Sequence, residues 1–309
     1  MFSVQNNLSK AARRLVTRFK HQRPLRAGSL IVTLFGDSIL PRGGTATLGS
    51  LIKLAAPFGI NERLVRTAAS RLVHDGWLRA RRVGKLSEYH LSPIGRERFA
   101  EATERIYGEP TVDWSGRWTL LVLPDMRSVS RRRARDELTW LGFGEFAPGI
   151  FAHPELSKHT LAQIRSFADG ARPMVFEANL HEDNAAARLV NLGWDLKDLS
   201  EGYRRFAQRF DPVLKALEKS ASGQEQAAFV ARTLLIHEYR KLHLRDPLLP
   251  ARLLSPHWAG TRAAECCRDI YFGVFDASER YLSRVGATLS GALPPADSAV
   301  LRRFGNRSR

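Results

Sequence analysis

Residues 47–91 read TLGSLIKLAAPFGINERLVRTAASRLVHDGWLRARRVGKLSEYHL, and this stretch decides how the rest of the chain is understood. Within it, Leu64, Val65, Ala68, Ala69, Leu72 and Val73 recur at the spacing of one buried helical face. The opposite face carries Arg63, Arg66, Thr67, Ser70, Arg71 and His74, side chains suited to phosphate oxygens and base edges. Asn61 stands where an N-cap oxygen is needed, and Gly76 where a left-handed residue would end the helix. Upstream, Thr47 can cap a shorter helix bearing Leu48, Leu51, Ile52 and Ala55, which ends at a turn through Pro57 and Gly59. Downstream, WLRARRV and LSEYHL flank the turn dipeptide Gly84-Lys85, with Arg79, Arg81, Arg82 and Lys85 along the first strand and tip. Helix, turn, helix and basic hairpin in that order predict a winged helix-turn-helix that binds DNA.

Working outward, the charge supports this reading. The chain has 309 residues and a net charge of +17. Residues 1–108 hold 19 Lys and Arg against 7 Asp and Glu, a balance of +12, leaving +5 for the rest. Such a field concentrates polyanions, although RNA or an anionic membrane would answer the same charge. Residues 1–26 contain seven basic residues and no acid. They read as a mobile or partly helical arm, either lying on DNA or simply solubilising the chain. Leu30, Ile31, Leu34 and Phe35 then predict a first helix ending near Gly36, within a DNA-binding domain over 27–108. Ser92-Pro93 predicts an N-cap and first position for a helix leading out of the hairpin.

Gly108, Pro110 and Gly116 mark a linker. From 115 to 193 the pattern is strand (RWTLLVLP), helix (129–141), strand (149–152), helix (159–168) and strand (RPMVFEANL), which predicts an α+β domain of ferredoxin-like topology. Arg131, Arg132, Arg133 and Arg135 cluster on its first helix, where neighbouring Asp136 and Glu137 favour a solvated face. Residues 194–286 read as an all-helical domain: a helix starting at Asp211-Pro212, one over 229–244 stopped by Asp246-Pro247, and a last long one holding Cys266, Ile270, Tyr271, Val274 and Phe275. Residues 287–309 read as a disordered tail.

Several function classes find no support. The adjacent Cys266 and Cys267 give neither a disulfide framework nor zinc-ligand spacing and fit a reducing cytoplasm. No apolar run is long enough to span a bilayer, and no secretory signal is evident. Phosphate-binding loops and hydrolase motifs are absent, so no enzyme, cofactor or metal is expected.

The segments SLIVTLFGDSILPRGG (29–44), APFGINERLVRTAASRLVHDGWL (56–78) and FVARTLLIHEYRKLHLRDPLLPARLLSPHWAG (229–260) resemble the PaaX family of transcriptional repressors, and the likeness runs from about Ser29 to Leu282. The resemblance implies a dimeric regulator of phenylacetate catabolism that releases operator DNA when phenylacetyl-CoA accumulates, and a middle domain similar to Cas2 proteins. Under that reading Arg63, Arg66, Thr67, Ser70, Arg71, Arg79, Arg81, Arg82 and Lys85 are the DNA-contacting candidates. An acyl-CoA needs cations for its phosphates and an apolar slot for its aryl end, which His237, Tyr239, Arg240 and Lys241, with Trp258, could supply. A packing cluster or a dimer interface competes for the same residues. The alternative class is a metal-dependent nucleic-acid-processing protein: Asp125, just after LLVLP, stands where Cas2-like nucleases hold a metal-binding aspartate, and it is equally an ordinary loop residue.

Overall fold

The computed structural model describes residues 7–22, 27–108, 114–123, 128–154, 156, 160, 164, 173–182, 184–217 and 224–305. They fall into two compact units: 1–108 with 204–241 and 261–309, and 109–203 with 242–260.

The first unit begins with α1 (Asn7–Lys20), where an arm was expected. Leu8, Ala11, Ala12, Leu15 and Phe19 fall on one face of it and are buried. That amphipathic pattern is what turns a basic segment into a docked helix, because its apolar stripe has something to pack on. α2 (Ala27–Leu34) does not stop near Gly36; it widens into a π-turn over Phe35–Ile39 and tightens into a 3-10 turn at Leu40–Arg42. The π-turn brings Asp37 inward. A short strand β1 (Thr45–Thr47), not foreseen, leads into α3 (Leu48–Ala55), a turn, and α4 (Glu62–His74). The hairpin β2 (Leu78–Val83) and β3 (Leu86–Leu91) follows, in a three-stranded antiparallel sheet of order β1-β3-β2. Ser92 caps α5 (Pro93–Tyr107) by accepting from the Gly95 amide.

The second unit holds a four-stranded antiparallel sheet of β4 (Trp118–Val122), β5 (Gly144–Ala147), β6 (Ile150–Pro154) and β7 (Met174–Ala178), with α6 (Ser128–Trp140) between β4 and β5. Its strand order, β5-β6-β4-β7, is that of a ferredoxin-like plait. β5 went unseen in the sequence because four residues interrupted by a bulge give little alternation. Along β4 successive residues face opposite ways: Leu121 packs with Leu138, Phe143, Phe151 and Ile164, while Trp118 packs with Ala152, Val190 and Leu249. The helix expected over 159–168 lies largely outside the described residues, as does Asp125. α7 (Ala185–Gly193) closes this stretch.

The later helices are α8 (Leu196–Leu217), α9 (Glu225–His243), α10 (Ala259–Gly273) and α11 (Phe275–Val285). Pro212 does not start a helix; it sits inside α8, where Phe206, Phe210 and Val213 continue one buried face across it. The last helix is broken at Val274 into α10 and α11. The segment expected as a disordered tail is placed as the pair β8 (Ala287–Thr288) and β9 (Gly291–Ala292), then a 3-10 stretch over Ser298–Gly305. Much of the supposed separate helical domain therefore belongs to the same unit as the N-terminal segment.

What joins them is charge. The Asp37 carboxylate accepts from Arg232 Nε (2.8 Å), Arg303 Nη1 (2.8 Å), the Tyr107 hydroxyl (2.9 Å) and the Tyr271 hydroxyl (3.2 Å). Arg232 also donates to Glu279 (2.6 Å), whose other oxygen takes Arg42. Burial alone would push the Asp37 carboxyl up, but Arg232 and Arg303 outweigh it and hold it below the ordinary range. Burial pushes the Tyr271 hydroxyl up to about 12, so it stays a donor at neutral pH.

Candidate nucleic-acid interface

The local sequence builds this site from its caps outward. Thr47 Oγ1 accepts from the Ser50 amide at the start of α3, and Asn61 Oδ1 accepts from the Leu64 amide (3.0 Å) at the start of α4. Between them Gly59 takes φ +75°, a value that suits glycine, and Phe58 and Ile60 on either side are buried. α4 then presents two faces. Val65, Ala68, Ala69 and Leu72 are buried, while Arg63, Arg66, Thr67, Ser70, Arg71 and His74 are exposed. Leu64 departs from the expected stripe and is exposed, at the rim of the buried face, and Val73 is half-buried.

Two of these polar side chains have local partners. Arg66 Nε and Nη2 donate to Glu62 Oε1 at 2.8 and 2.6 Å, one helical turn away. The Thr67 hydroxyl donates to the Arg63 carbonyl at 2.9 Å. Glu62 was the residue that sequence reasoning passed over, although its i,i+4 spacing to Arg66 is legible. Arg63, Ser70 and Arg71 point no hydrogen bond at another described side chain.

The hairpin turns on Gly84 (φ +57°) and Lys85, with Val83 paired to Leu86, the arrangement of a type II′ turn. Arg79, Arg81, Arg82 and Lys85 are all exposed. Arg82 Nε donates to the Gly84 carbonyl at 3.2 Å and so stiffens the tip. Arg81 stands opposite Glu88, whose buried carboxylate accepts from the Leu289 amide at 2.8 Å. Ala287 in the same C-terminal segment exchanges hydrogen bonds with Ser50 Oγ, at 2.6 Å from its amide and 2.9 Å to its carbonyl. The start of α3 and the hairpin strand β3 are thus both tied to the chain's C-terminal segment.

The residues singled out for an acyl-CoA are placed differently. His237 is fully buried, with Nδ1 3.0 Å from Thr33 Oγ1 and its ring edge-on to Phe19. Tyr239 is buried between Phe206 and Phe304. Arg240 donates to Ser29 Oγ (2.6 Å), the Ser29 carbonyl (2.8 Å) and Thr33 Oγ1 (2.9 Å), and burial pushes its guanidinium down from the ordinary range. Lys241 pairs with Glu238 at 2.8 Å. Trp258 belongs to the second unit, edge-on to Tyr203, which donates to Asp246 at 2.7 Å. His237, Tyr239 and Arg240 are committed to holding α9 against its neighbours. The cluster around Asp37 was missed altogether. Its one signal in the sequence is that Asp37 is the first acid of the chain and interrupts an otherwise apolar run.

Among the described residues no group of three or more His, Cys, Asp or Glu is placed to hold a metal ion, and no helix is long and apolar enough to cross a membrane.

Comparison with known proteins agrees along the chain. Residues 26–95 match the model of PaaX-like proteins, 111–190 that of the PaaX protein central Cas2-like domain, and 194–284 that of the PaaX-like protein C-terminal domain. The transcriptional repressor PaaX of Escherichia coli K12 is 38% identical over 289 residues, covering 91% of each chain. Among solved structures, an uncharacterised protein of Mycobacterium tuberculosis is similar with a TM-score of 0.51 and 26% identity, over 75% of this chain and 89% of that one. Three successive domain matches in family order, together with a relative this similar over nine-tenths of both chains, establish that the chain belongs to the PaaX family.

Proposed function

We propose that this PaaX-family protein is a sequence-specific, DNA-binding transcriptional repressor of genes for phenylacetate or related aromatic catabolism. In this reading residues 47–91 act as a winged helix-turn-helix. α4 lies in the major groove, with Arg63 and Arg66 reading guanine edges and Thr67, Ser70 and Arg71 beside them, while Arg79, Arg81, Arg82 and Lys85 of the wing grip phosphate. One observation carries it: α4 buries its apolar face and leaves Arg63, Arg66, Thr67, Ser70 and Arg71 exposed, next to a hairpin whose four cations are all exposed. A two-fold operator would call for a homodimer. The protein acts in the cytoplasm as a regulator without catalysis of its own, and phenylacetyl-CoA or a related aryl acyl-CoA releases it from DNA. His237, Tyr239 and Arg240 would then answer the effector only through movement of α9, since their side chains serve packing.

The test is a titration of the full chain on its own upstream intergenic DNA at fixed, near-physiological salt, with phenylacetyl-CoA, phenylacetate or CoA added separately. Specific binding abolished by the thioester alone is the expected result. Specific binding indifferent to the thioester removes the effector from the proposal. No preference over random DNA removes the repressor reading itself.

A further inference from the structure

α1 carries a basic face of its own, beyond the cations of α4 and the hairpin. Lys10, Arg13, Arg14, Arg18 and Lys20 are all exposed on this helix, which carries no acid. Lys10, Arg13 and Arg14 fall at i, i+3 and i+4 and continue through Thr17 to Lys20, a stripe opposite the buried Leu8, Ala11, Ala12, Leu15 and Phe19. Several exposed arginines outside the α4 face and the hairpin have carboxylate partners: Arg188 with Glu182, Arg245 with Asp198, Arg262 with Glu265, Arg268 with Asp269 and Arg280 with Glu225. Among the described residues Lys10, Arg13, Arg14 and Arg18 have no such partner. Unneutralised cations brought together on one helix repel each other, and a bound polyanion relieves that repulsion.

The position of the stripe says which polyanion. α1 is docked on the turn between α3 and α4: Phe19 meets Phe58 edge-on, with ring centroids 6.4 Å apart. The Lys20 chain lies over Gly59, where an added Cβ would strike its Cε. Gly59 precedes the cap Asn61 by two residues, so the Lys20 end of the stripe lies beside the N-terminal end of α4, and Arg14, Arg13 and Lys10 follow about 9–15 Å farther along α1. Its 14 residues extend for roughly 20 Å at the rise of an α-helix. A membrane does not fit this arrangement, because the apolar face an interfacial helix would insert is already buried.

We propose that the Lys10, Arg13 and Arg14 face of α1 is a second phosphate-binding surface, which grips the backbone of duplex DNA flanking the bases that α4 reads. The inference rests on the DNA-binding reading above, and it adds a contact made without regard to sequence.

The test compares the full chain with a variant carrying Lys10→Gln, Arg13→Gln and Arg14→Gln, all on the exposed face, and with a control that loses equal charge through Arg188→Gln, Arg245→Gln and Arg252→Gln. Affinity for the upstream DNA and for a random duplex is measured across a salt series. With each phosphate contact contributing about 0.9 to the salt slope, wild type should lose about 40-fold more affinity than the α1 variant between about 50 and 200 mM salt. The loss should be alike on both duplexes, and the control should follow wild type. An α1 variant with the slope and affinity of wild type, or a control that falls equally, overturns the proposal. Failure of the repressor reading looks different: wild type then shows no preference for the upstream duplex, whatever α1 does.

Discussion

Arg232 and Arg66 carry the same group into opposite surroundings within one unit. Arg232 is fully buried, donating to Asp37 and Glu279 and lying over the rings of Tyr271 and Phe275. Arg66 is more than half exposed, and among the described residues it pairs with Glu62 on its own helix. A buried guanidinium cannot exchange its partner without leaving a carboxylate unpaired in a medium that does not solvate it, so it specifies one packing. An exposed guanidinium loses little on changing partners, so it is available to a ligand. The comparison divides this family member's charges into those that hold the fold and those that can do its work.

Breaking the buried side should have the largest effect. Asp37→Ala leaves Arg232 and Arg303 without their shared carboxylate and is expected to cost about 3–5 kcal/mol, a large part of the stability of a typical domain. A urea titration would show it as a lower midpoint. Because the folded Asp37 carboxyl lies below its ordinary value, its contribution is present above the unfolded carboxylate range and is lost as pH falls through the folded value. Wild type should therefore lose stability on acidification by more than Asp37→Ala does. Equal acid sensitivity in the two proteins would mean that Asp37 does not hold the cluster.

On the exposed side, Arg66→Ala should leave the urea midpoint nearly unchanged and cost about 1–3 kcal/mol of discrimination at one base pair. Competition between the upstream DNA and single-base variants of it measures this. Arg81→Ala should act more weakly and without regard to sequence, flattening the salt slope by about one unit. If Arg66→Ala weakened every duplex alike and Arg81→Ala relaxed one position, the roles of helix and wing would be exchanged.

How far the two classes could be told apart beforehand depended on sequence distance. The caps Thr47, Asn61 and Ser92 and the Gly84-Lys85 turn were legible because each needs only its own neighbours. The exposed face of α4 followed from the same periodicity that buried its other face. Asp37 was not legible, since Arg232 and Arg303 reach it from the far end of the chain and no local pattern announces that meeting. The docking of α1, expected only as a mobile or partly helical arm, and the order of the C-terminal segment were missed for a related reason. Their composition is that of a solvated arm or tail, and only tertiary burial of Phe19 and Arg303 makes them part of the unit. Pro212 was read by its local rule, which packing of α8 on both sides overrode.

The smallest effect separates two meanings of the pair on α4. Glu62→Ala removes an exposed i,i+4 bridge and an acid from the first turn of the helix, which together should lower stability by only about 0.5 kcal/mol. Its effect on DNA is more informative. If Glu62 merely occupies Arg66 until DNA arrives, its removal frees the guanidinium and takes away a negative charge beside the phosphates, so affinity should rise on all duplexes. If Glu62 instead holds Arg66 in the orientation that meets a base edge, specific affinity should fall while random-duplex affinity rises. We expect the first outcome, because both donors of Arg66 point at a single carboxylate oxygen, Oε1, and the pair lacks the two-oxygen fork that would fix the guanidinium plane.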